Sequence, residues 1–175
     1  MGRLGVLVRD LEWINRSPLG MLKVNIDGSY YAATRNGGLG FVIRDFVGTM
    51  LAGGATPLQN LLSAEHAEAL ACHAAVKFVL HHNMMPVLLE TDSLLVQRQV
   101  SAQTTSNTSV LGRLYDDIGE MMDLFPNVRI NHTRRGANLV AHLLADHAKS
   151  LQQETFFFSA LTFLQAAIAS NSNFV

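Results

Sequence analysis

The stretch Leu22-Lys23-Val24-Asn25-Ile26-Asp27-Gly28-Ser29 alternates apolar and polar residues up to an aspartate that is followed by glycine. A period of two is typical of a half-buried strand, and Gly28-Ser29 is expected to break it. The runs 38–44 and 49–54 are short and β-rich, and the segment 45–48 between them has the length of a hairpin connection. The sequence therefore predicts three consecutive antiparallel strands.

After these strands the pattern alternates between helices and single strands. Several stretches have the apolar spacing of helices, whereas two short apolar runs have the composition of buried strands. The predicted elements are a helix at 63–82, a strand at 86–91, helices at 94–100 and 110–125, a strand at 128–131 and a helix at 137–150. The order βββαβααβα predicts an α/β fold, with a five-stranded mixed sheet and helices on both faces.

The length and composition fit one globular domain. A chain of 175 residues with 49% hydrophobic residues is long enough for a sizeable core. We expect a lead-in at 1–20, one domain at 21–150 and an apolar C-terminal tail at 151–175, without charge after Glu154. The tail has three open roles: a packing helix, a segment that binds a protein partner, or a membrane anchor. The anchor is disfavoured because the apolar stretch 156–169 is short for a span.

Charge and cysteine content narrow the classes of function. The net charge of −1 gives no global basic field, so any contact with nucleic-acid phosphates must come from a local cluster. Cys72 is the only cysteine, which excludes an internal disulfide and a CxxC zinc site. No secretory signal is evident, so we expect an intracellular protein, cytoplasmic or nuclear.

Three carboxylates fall at positions that the predicted fold brings to one edge of the sheet. Asp27 ends the first strand, Glu68 lies on the first long helix, and Asp92 ends the fourth strand. Taken singly, each has an ordinary explanation, as a turn residue, an exposed helical residue and a helix cap. Together they repel one another unless cations lie between them, and their oxygens suit Mg²⁺ or Mn²⁺. Two such ions, about 3.5 to 4 Å apart, can activate water for phosphodiester hydrolysis.

The predicted strands and helices also carry an ordered set of motifs. These are Trp13…Pro18…Lys23-Val24-Asn25-Ile26-Asp27-Gly28-Ser29, Gly38-Leu39-Gly40-Phe41-Val42-Ile43-Arg44-Asp45, Ala67-Glu68-Ala69-Leu70-Ala71, Glu90-Thr91-Asp92-Ser93 and the segment 135–145. Together they resemble the plant ribonuclease H-like domains, which are similar to the ribonuclease H of retrotransposon polyproteins. The resemblance covers residues 13–150, and the ordered set is more specific than any single motif.

The resemblance implies a metal-dependent endonuclease that hydrolyses the RNA strand of RNA/DNA hybrids, with Mg²⁺ or Mn²⁺ as cofactor and nucleic acid as partner. It implies that Asp27, Glu68 and Asp92 bind the metal, with Asp27 as the bridge between two ions. Glu65 lies one helical turn before Glu68. We interpret Glu65 as a supporting or solvated residue, since the family's spacing to the second aspartate fits Glu68.

The fourth catalytic position departs from the family's pattern. Active members usually have an aspartate four residues after the helix asparagine, and here His142 follows Asn138. An imidazole can bind Mn²⁺ or orient a water molecule, but it brings no negative charge and suits Mg²⁺ poorly. We count His142 among the catalytic residues. The alternative is a catalytically weakened, ribonuclease H-derived module that binds nucleic acid or protein, and a third interpretation takes the carboxylates as incidental in a structural domain.

The predicted nucleic-acid contacts are Ser29, Asn138, Arg134 and Arg135. The two arginines form a basic spot beside the proposed site, where they either hold a phosphate or are simply solvated. Lys23 and Arg44 are candidates to extend that spot. His132 lies near the position of a loop histidine that moves protons in active relatives, and a plain surface histidine is the alternative.

Overall fold

The computed structural model describes residues 20–102, 108–125 and 127–171. The predicted lead-in therefore lies outside the described residues except for Gly20, as do residues 103–107 between the predicted helices at 94–100 and 110–125. The strands are β1 (Leu22–Tyr31), β2 (Asn36–Arg44), β3 (Met50–Leu58), β4 (Val87–Thr91), β5 (Val128–His132) and β6 (Thr155–Phe157). The helices are α1 (Ala64–His81), α2 (Leu94–Ser101), α3 (Gly112–Asp123), α4 (Leu139–Ala148) and α5 (Gln165–Asn171).

All six strands form one mixed sheet in the order β5-β4-β1-β2-β3-β6. The first three strands are antiparallel neighbours, whereas β4 pairs parallel with β1 and β5 pairs parallel with β4. This arrangement confirms the predicted α/β class and the predicted order of the first five strands. It also places β1, which carries Asp27, in the interior of the sheet.

Gly28 does not break the first strand, contrary to the sequence-based prediction. β1 continues to Tyr31, and Gly28 pairs with Leu39 of β2. The glycine is needed for packing, because a Cβ at this position would lie 2.4 Å from the carbonyl carbon of Ala67 in α1. The small residue therefore brings α1 against the sheet and does not turn the chain.

Helices cover both faces of the sheet, as the sequence predicts. On one face α1 and α3 enclose the larger core, to which β1 contributes Leu22, Val24 and Ile26. On the other face α4 crosses β1, β2 and β3 over a smaller core that contains Val42 and Leu144. The even-numbered side chains of β1 thus face α1, and its odd-numbered polar side chains face α4.

Helix α4 lies very close to the sheet. A Cβ on Gly40 would lie 2.4 Å from the backbone nitrogen of Ala145 and 2.6 Å from the carbonyl oxygen of Ala141. Only glycine permits this separation, since contacts of this length overlap the van der Waals radii of both atoms. The height of α4 above β1 and β2 is consequently fixed by a residue that has no side chain.

The C-terminal segment adds a sixth strand that the sequence pattern did not predict. β6 pairs antiparallel with β3 through Gly53, Gly54 and Ala55. Beyond it, Leu164 is fully buried in the smaller core beside α4. The strand has three residues and lacks the alternation that marks a strand in sequence. Within the described residues, no helix is both long and apolar enough to cross a membrane.

Candidate active site

Two of the predicted carboxylates meet because β1 and β4 run parallel. Ile26 of β1 is in register with Thr91, the last residue of β4, so Asp27 and Asp92 follow at the same edge. Asp27 is almost fully buried, with 4% of its surface exposed. Ser93 then caps α2 by accepting a hydrogen bond from the backbone N–H of Val96. The strand-to-helix junction thus fixes the backbone on both sides of Asp92.

Glu68 reaches the same place from α1. Ser63 caps this helix by accepting a hydrogen bond from the backbone N–H of His66, and Glu68 follows in the second turn. The close contact between Ala67 and Gly28 brings the Glu68 side chain beside β1, where its carboxylate also receives a hydrogen bond from the Gly28 backbone. The packing glycine of β1 therefore also positions a site residue.

The three carboxylates form one cluster. Asp27, Glu68 and Asp92 each offer an oxygen, and these oxygens lie within 4.8 Å of one another. Burial and the negative charges of Asp27 and Asp92 raise the pKa of Glu68 from 4.5 to about 9. Burial also raises the pKa of Asp27 from 3.8 to about 6, although the hydrogen bond with His142 opposes this increase. Ionising all three groups is therefore costly without a compensating positive charge.

The cluster fits a divalent cation. Glu68 Oε2 is buried and has no hydrogen-bond partner, so one carboxylate oxygen is left unsatisfied at the centre of the group. Carboxylate oxygens at this spacing are the ligands that Mg²⁺ and Mn²⁺ prefer. A bound cation would favour the ionised form of the carboxylates and remove the repulsion between them.

His142 contacts the cluster from α4. Its Nδ1 lies 2.9 Å from Asp27 Oδ2, a hydrogen-bond distance, and its Nε2 lies 3.6 Å from Asp146 Oδ2 one turn later. Asp146 in turn accepts a hydrogen bond from Lys149 at 2.8 Å. The imidazole is therefore held between two carboxylates, one of which belongs to the cluster.

Two residues predicted to contact nucleic acid make contacts inside the fold. The Asn138 side chain is buried and donates from Nδ2 to the carbonyl oxygen of Ile26 at 2.8 Å. The Ser29 hydroxyl donates to the carbonyl oxygen of Ala145 at 3.1 Å. Both bonds tie α4 to β1 on either side of Asp27. They hold His142 at a fixed position relative to that aspartate.

The other predicted contacts line a cleft of about 570 Å³ that opens beside the cluster. His132, Arg134 and Arg135 line it together with Glu68 and Asp92. Arg135 Nε is 3.8 Å from Asp92 Oδ2, while its side chain is 84% exposed. The structure therefore brings the basic spot, the loop histidine and the carboxylates to a single opening.

Some polar contacts near the site were missed or wrongly predicted from sequence. Glu65 lines the cleft, where it accepts a hydrogen bond from the Tyr115 hydroxyl at 2.8 Å. Arg44 does not extend the basic spot, because it is buried and donates to the side chain of Asn25. Lys23 lies 3.7 Å from Glu90. The register explains the error, since Arg44 pairs with Lys23 and so faces the same side of the sheet as Asn25.

Comparison with known proteins agrees with this geometry. A family model described as reverse transcriptase-like matches residues 25–148, which is more than half of the chain. The ribonuclease H1 of the archaeon Halobacterium salinarum superimposes with a TM-score of 0.67 at 24% identity, covering 75% of this chain and 98% of that one. Among curated protein sequences, none matches the chain significantly.

Two further solved structures contain nucleic acid. The LC11 ribonuclease H1 from compost, in complex with an RNA/DNA hybrid, has a TM-score of 0.65 at 22% identity and covers 74% of this chain and 96% of that one. A foamy viral protease-reverse transcriptase bound to an RNA/DNA hybrid has a TM-score of 0.61 at 22% identity, covering 74% of this chain and 20% of that one. These likenesses establish a shared fold. The sheet topology, the position of the carboxylates and the matched residues show that the chain belongs to the reverse transcriptase-like family of ribonuclease H-like domains.

Proposed function

We propose that the protein is a metal-dependent endonuclease that hydrolyses the RNA strand of RNA/DNA hybrids. The observation that carries this proposal is the convergence of Asp27, Glu68 and Asp92, whose oxygens lie within 4.8 Å of one another at the edge of an open cleft. Such a cluster has little value for stability, because burial and the repulsion between its carboxylates oppose their ionisation. Its chemistry is that of a cation site facing a substrate.

The side chains of the site have separate roles in this proposal: metal binding, positioning of a carboxylate and proton transfer. Asp27, Glu68 and Asp92 hold Mg²⁺ or Mn²⁺, which when bound supplies an activated water and charge stabilisation for the leaving oxygen. Glu68 fixes its carboxylate against the Gly28 backbone, and His142 orients Asp27 through a 2.9 Å contact. His132 lines the same cleft as Glu68, where its imidazole is placed to transfer a proton.

The cleft has the features that a nucleic-acid backbone requires. Arg134 and Arg135 give it local positive charge, although the chain as a whole carries a net charge of −1. Binding through phosphates and 2′-hydroxyls recognises an RNA strand with little dependence on base sequence. Solved relatives in complex with RNA/DNA hybrids share the fold, which supports a hybrid as the substrate.

His142 favours a second candidate function. This residue occupies the position where active relatives have an aspartate, and its contact with Asp27 engages one carboxylate oxygen of the cluster. A protein in which catalysis has weakened would still keep the fold and the basic cleft. The second candidate is therefore a module that binds nucleic acid or a protein partner without cutting.

The decisive experiment is cleavage of a labelled RNA/DNA hybrid by the purified protein, in Mg²⁺ and separately in Mn²⁺. We expect cleavage of the RNA strand, and we expect Asp27→Asn to reduce its rate by about 1,000-fold because a charged metal ligand is lost. Asp123→Asn is the matched control, since Asp123 is exposed on α3 and does not line the cleft.

The outcomes separate the two candidates. Cleavage that Asp27→Asn abolishes and Asp123→Asn leaves intact assigns the activity to the cluster. Hybrid binding without cleavage, by the native chain and by His142→Asp alike, would replace the nuclease with the binding module. Cleavage that persists in Asp27→Asn would place the activity elsewhere in the preparation.

Four finer predictions rest on sequence patterns alone. They are the relation to plant members of the family, the relation to retrotransposon proteins, the cytoplasmic or nuclear location, and a protein partner for the C-terminal tail. Each of them stays a prediction.

A further inference from the structure

Asp27 has two kinds of neighbour. Its Oδ2 lies 2.9 Å from Nδ1 of His142. Its carboxylate also contributes an oxygen to the cluster with Glu68 and Asp92. A carboxylate that bridges two ions must offer electron pairs to both of them. In this chain one of its oxygens already has a partner within the protein.

The imidazole is held firmly in that position. Its other nitrogen lies 3.6 Å from Asp146, which is itself bonded to Lys149 at 2.8 Å. The helix that carries it is tied to β1 by the side-chain bonds of Asn138 and Ser29. Gly40 lets α4 lie directly against the sheet. Together these contacts place the backbone of α4 at His142 close to β1.

An aspartate at position 142 would repel Asp27 and not pair with it. Two carboxylates on α4 and β1 at this separation repel each other, and a cation between them is the simplest means of holding both. The imidazole meets Asp27 directly and needs no cation.

We propose that His142 limits this site to a single divalent cation, held by Asp27, Glu68 and Asp92. The inference rests on the proposed metal-dependent function and specifies how many ions serve it. His142 acts through Asp27 and is a positioning residue that determines the metal stoichiometry. With one ion, the site would supply an activated water and would lack a second ion to stabilise the leaving oxygen.

The test counts bound Mn²⁺ per chain by electron paramagnetic resonance, which detects free ions and distinguishes an isolated bound ion from a coupled pair. The titration uses the full chain, alone and with a hybrid made uncleavable by 2′-O-methyl ribose, because a substrate phosphate is itself a ligand. We expect one ion per native chain in both conditions. We expect two coupled ions in His142→Asp with the hybrid bound.

His142→Ala provides a second measurement that does not require a new ligand. Removing the imidazole frees Asp27 Oδ2 without adding a carboxylate, so the count should stay at one. The affinity for that ion should rise by about tenfold, because Asp27 regains an oxygen that a hydrogen bond had occupied. Circular dichroism confirms that each variant is folded.

Each outcome decides the matter. Two ions in the native chain would overturn the single-ion proposal, while hybrid cleavage dependent on Asp27 would leave the nuclease intact. One ion in both the native chain and His142→Asp would show that His142 does not set the number, and an unchanged affinity in His142→Ala would show the same. No bound ion in the native chain would overturn the proposed metal-dependent function together with this inference.

Discussion

Two helices approach Asp27 from opposite faces of the sheet, and they leave it with different partners. A glycine lies under each helix, Gly28 under α1 and Gly40 under α4. A Cβ at either position would lie 2.4 Å from the helix backbone. From α1, Glu68 brings a buried carboxylate oxygen that has no hydrogen-bond partner. From α4, His142 brings an imidazole that contacts Asp27 at 2.9 Å.

The difference shows that backbone packing and ligand chemistry are set separately in this site. The two contacts are alike as packing, because both bring a helix backbone against a strand without an intervening side chain. They differ in the group that each helix brings. Helix α1 brings the Glu68 carboxyl, which has an oxygen without a hydrogen-bond partner. Helix α4 brings the His142 imidazole, which is itself a partner for Asp27. A single side chain on α4 therefore alters the chemistry offered to Asp27 without altering the fold.

The largest effect is expected where the packing itself is broken. Gly28→Ala and Gly40→Ala each add a Cβ 2.4 Å from helix backbone, which should destabilise the protein by about 3 kcal/mol. Gly119→Ala is the matched control, because nothing lies within 4 Å of its new Cβ. It should instead stabilise α3 by about 0.5–1 kcal/mol. Urea unfolding measures all three, and native stability in Gly40→Ala would show that α4 is not held as close as described.

The next largest effect is expected at Glu68, the carboxyl that α1 brings to the site. Since the fold raises the pKa of Glu68 from 4.5 to about 9, the metal-free protein should lose stability as pH rises through this window. Glu68→Gln removes the ionisable group and should stabilise the metal-free protein at pH 7 by an amount on the order of 2 kcal/mol. Mn²⁺ should then stabilise Glu68→Gln much less than the native chain. Thermal unfolding from pH 5 to 9, with and without Mn²⁺, measures both effects.

Glu120→Gln is the control for this comparison, since Glu120 is exposed on α3 and does not line the cleft. It should leave the pH profile and the response to Mn²⁺ unchanged. If Glu68→Gln and Glu120→Gln behave alike, ionisation of the buried Glu68 carboxyl does not destabilise the metal-free protein.

A smaller effect is expected at His142, the imidazole that α4 brings to the site. His142→Asp replaces a favourable contact with a like charge beside Asp27, and should destabilise the metal-free protein by about 1–2 kcal/mol at pH 7. Addition of Mn²⁺ should restore the loss, because the ion takes the place of the imidazole. Differential scanning fluorimetry with and without the metal measures the change. Equal losses in both conditions would mean that His142 contributes packing and not charge.

The smallest effect tests whether a predicted nucleic-acid contact is structural. Ser29→Ala removes the hydrogen bond to Ala145 and should cost about 0.5–1 kcal/mol of stability. Hybrid affinity should change by less than about threefold, because the hydroxyl is used within the fold. Fluorescence anisotropy with a labelled hybrid measures the affinity. A tenfold loss of affinity at native stability would assign Ser29 to the substrate.

The sequence predicted most of the sheet because its strands carry local signals. β1 alternates polar and apolar side chains, and the order of strands and helices allows few topologies. The prediction was wrong at Gly28, where a glycine after aspartate has the pattern of a turn but serves a contact with Ala67. That contact lies 39 positions away in the chain, and no local pattern records it.

In the site too, residues marked by local motifs were predicted, whereas contacts that depend on tertiary packing were not. Asp27, Glu68 and Asp92 were predicted as one cluster because motifs mark each of them, and their oxygens meet as expected. The bond between His142 and Asp27 was not predicted, since it depends on how close α4 lies to the sheet. Arg44 was misjudged because its exposure depends on pairing with β1.

The short strand β6 has a consequence for handling the protein. It covers the outer edge of β3 at Gly53, Gly54 and Ala55, and Phe156 of this strand packs on Phe41 and Phe78. An uncovered sheet edge is a template for pairing with other chains and so for aggregation. A fragment that ended at Ser150 would present that edge together with an apolar surface. The segment that contains β6 therefore shields the β3 edge and the apolar surface beside it from pairing with other chains.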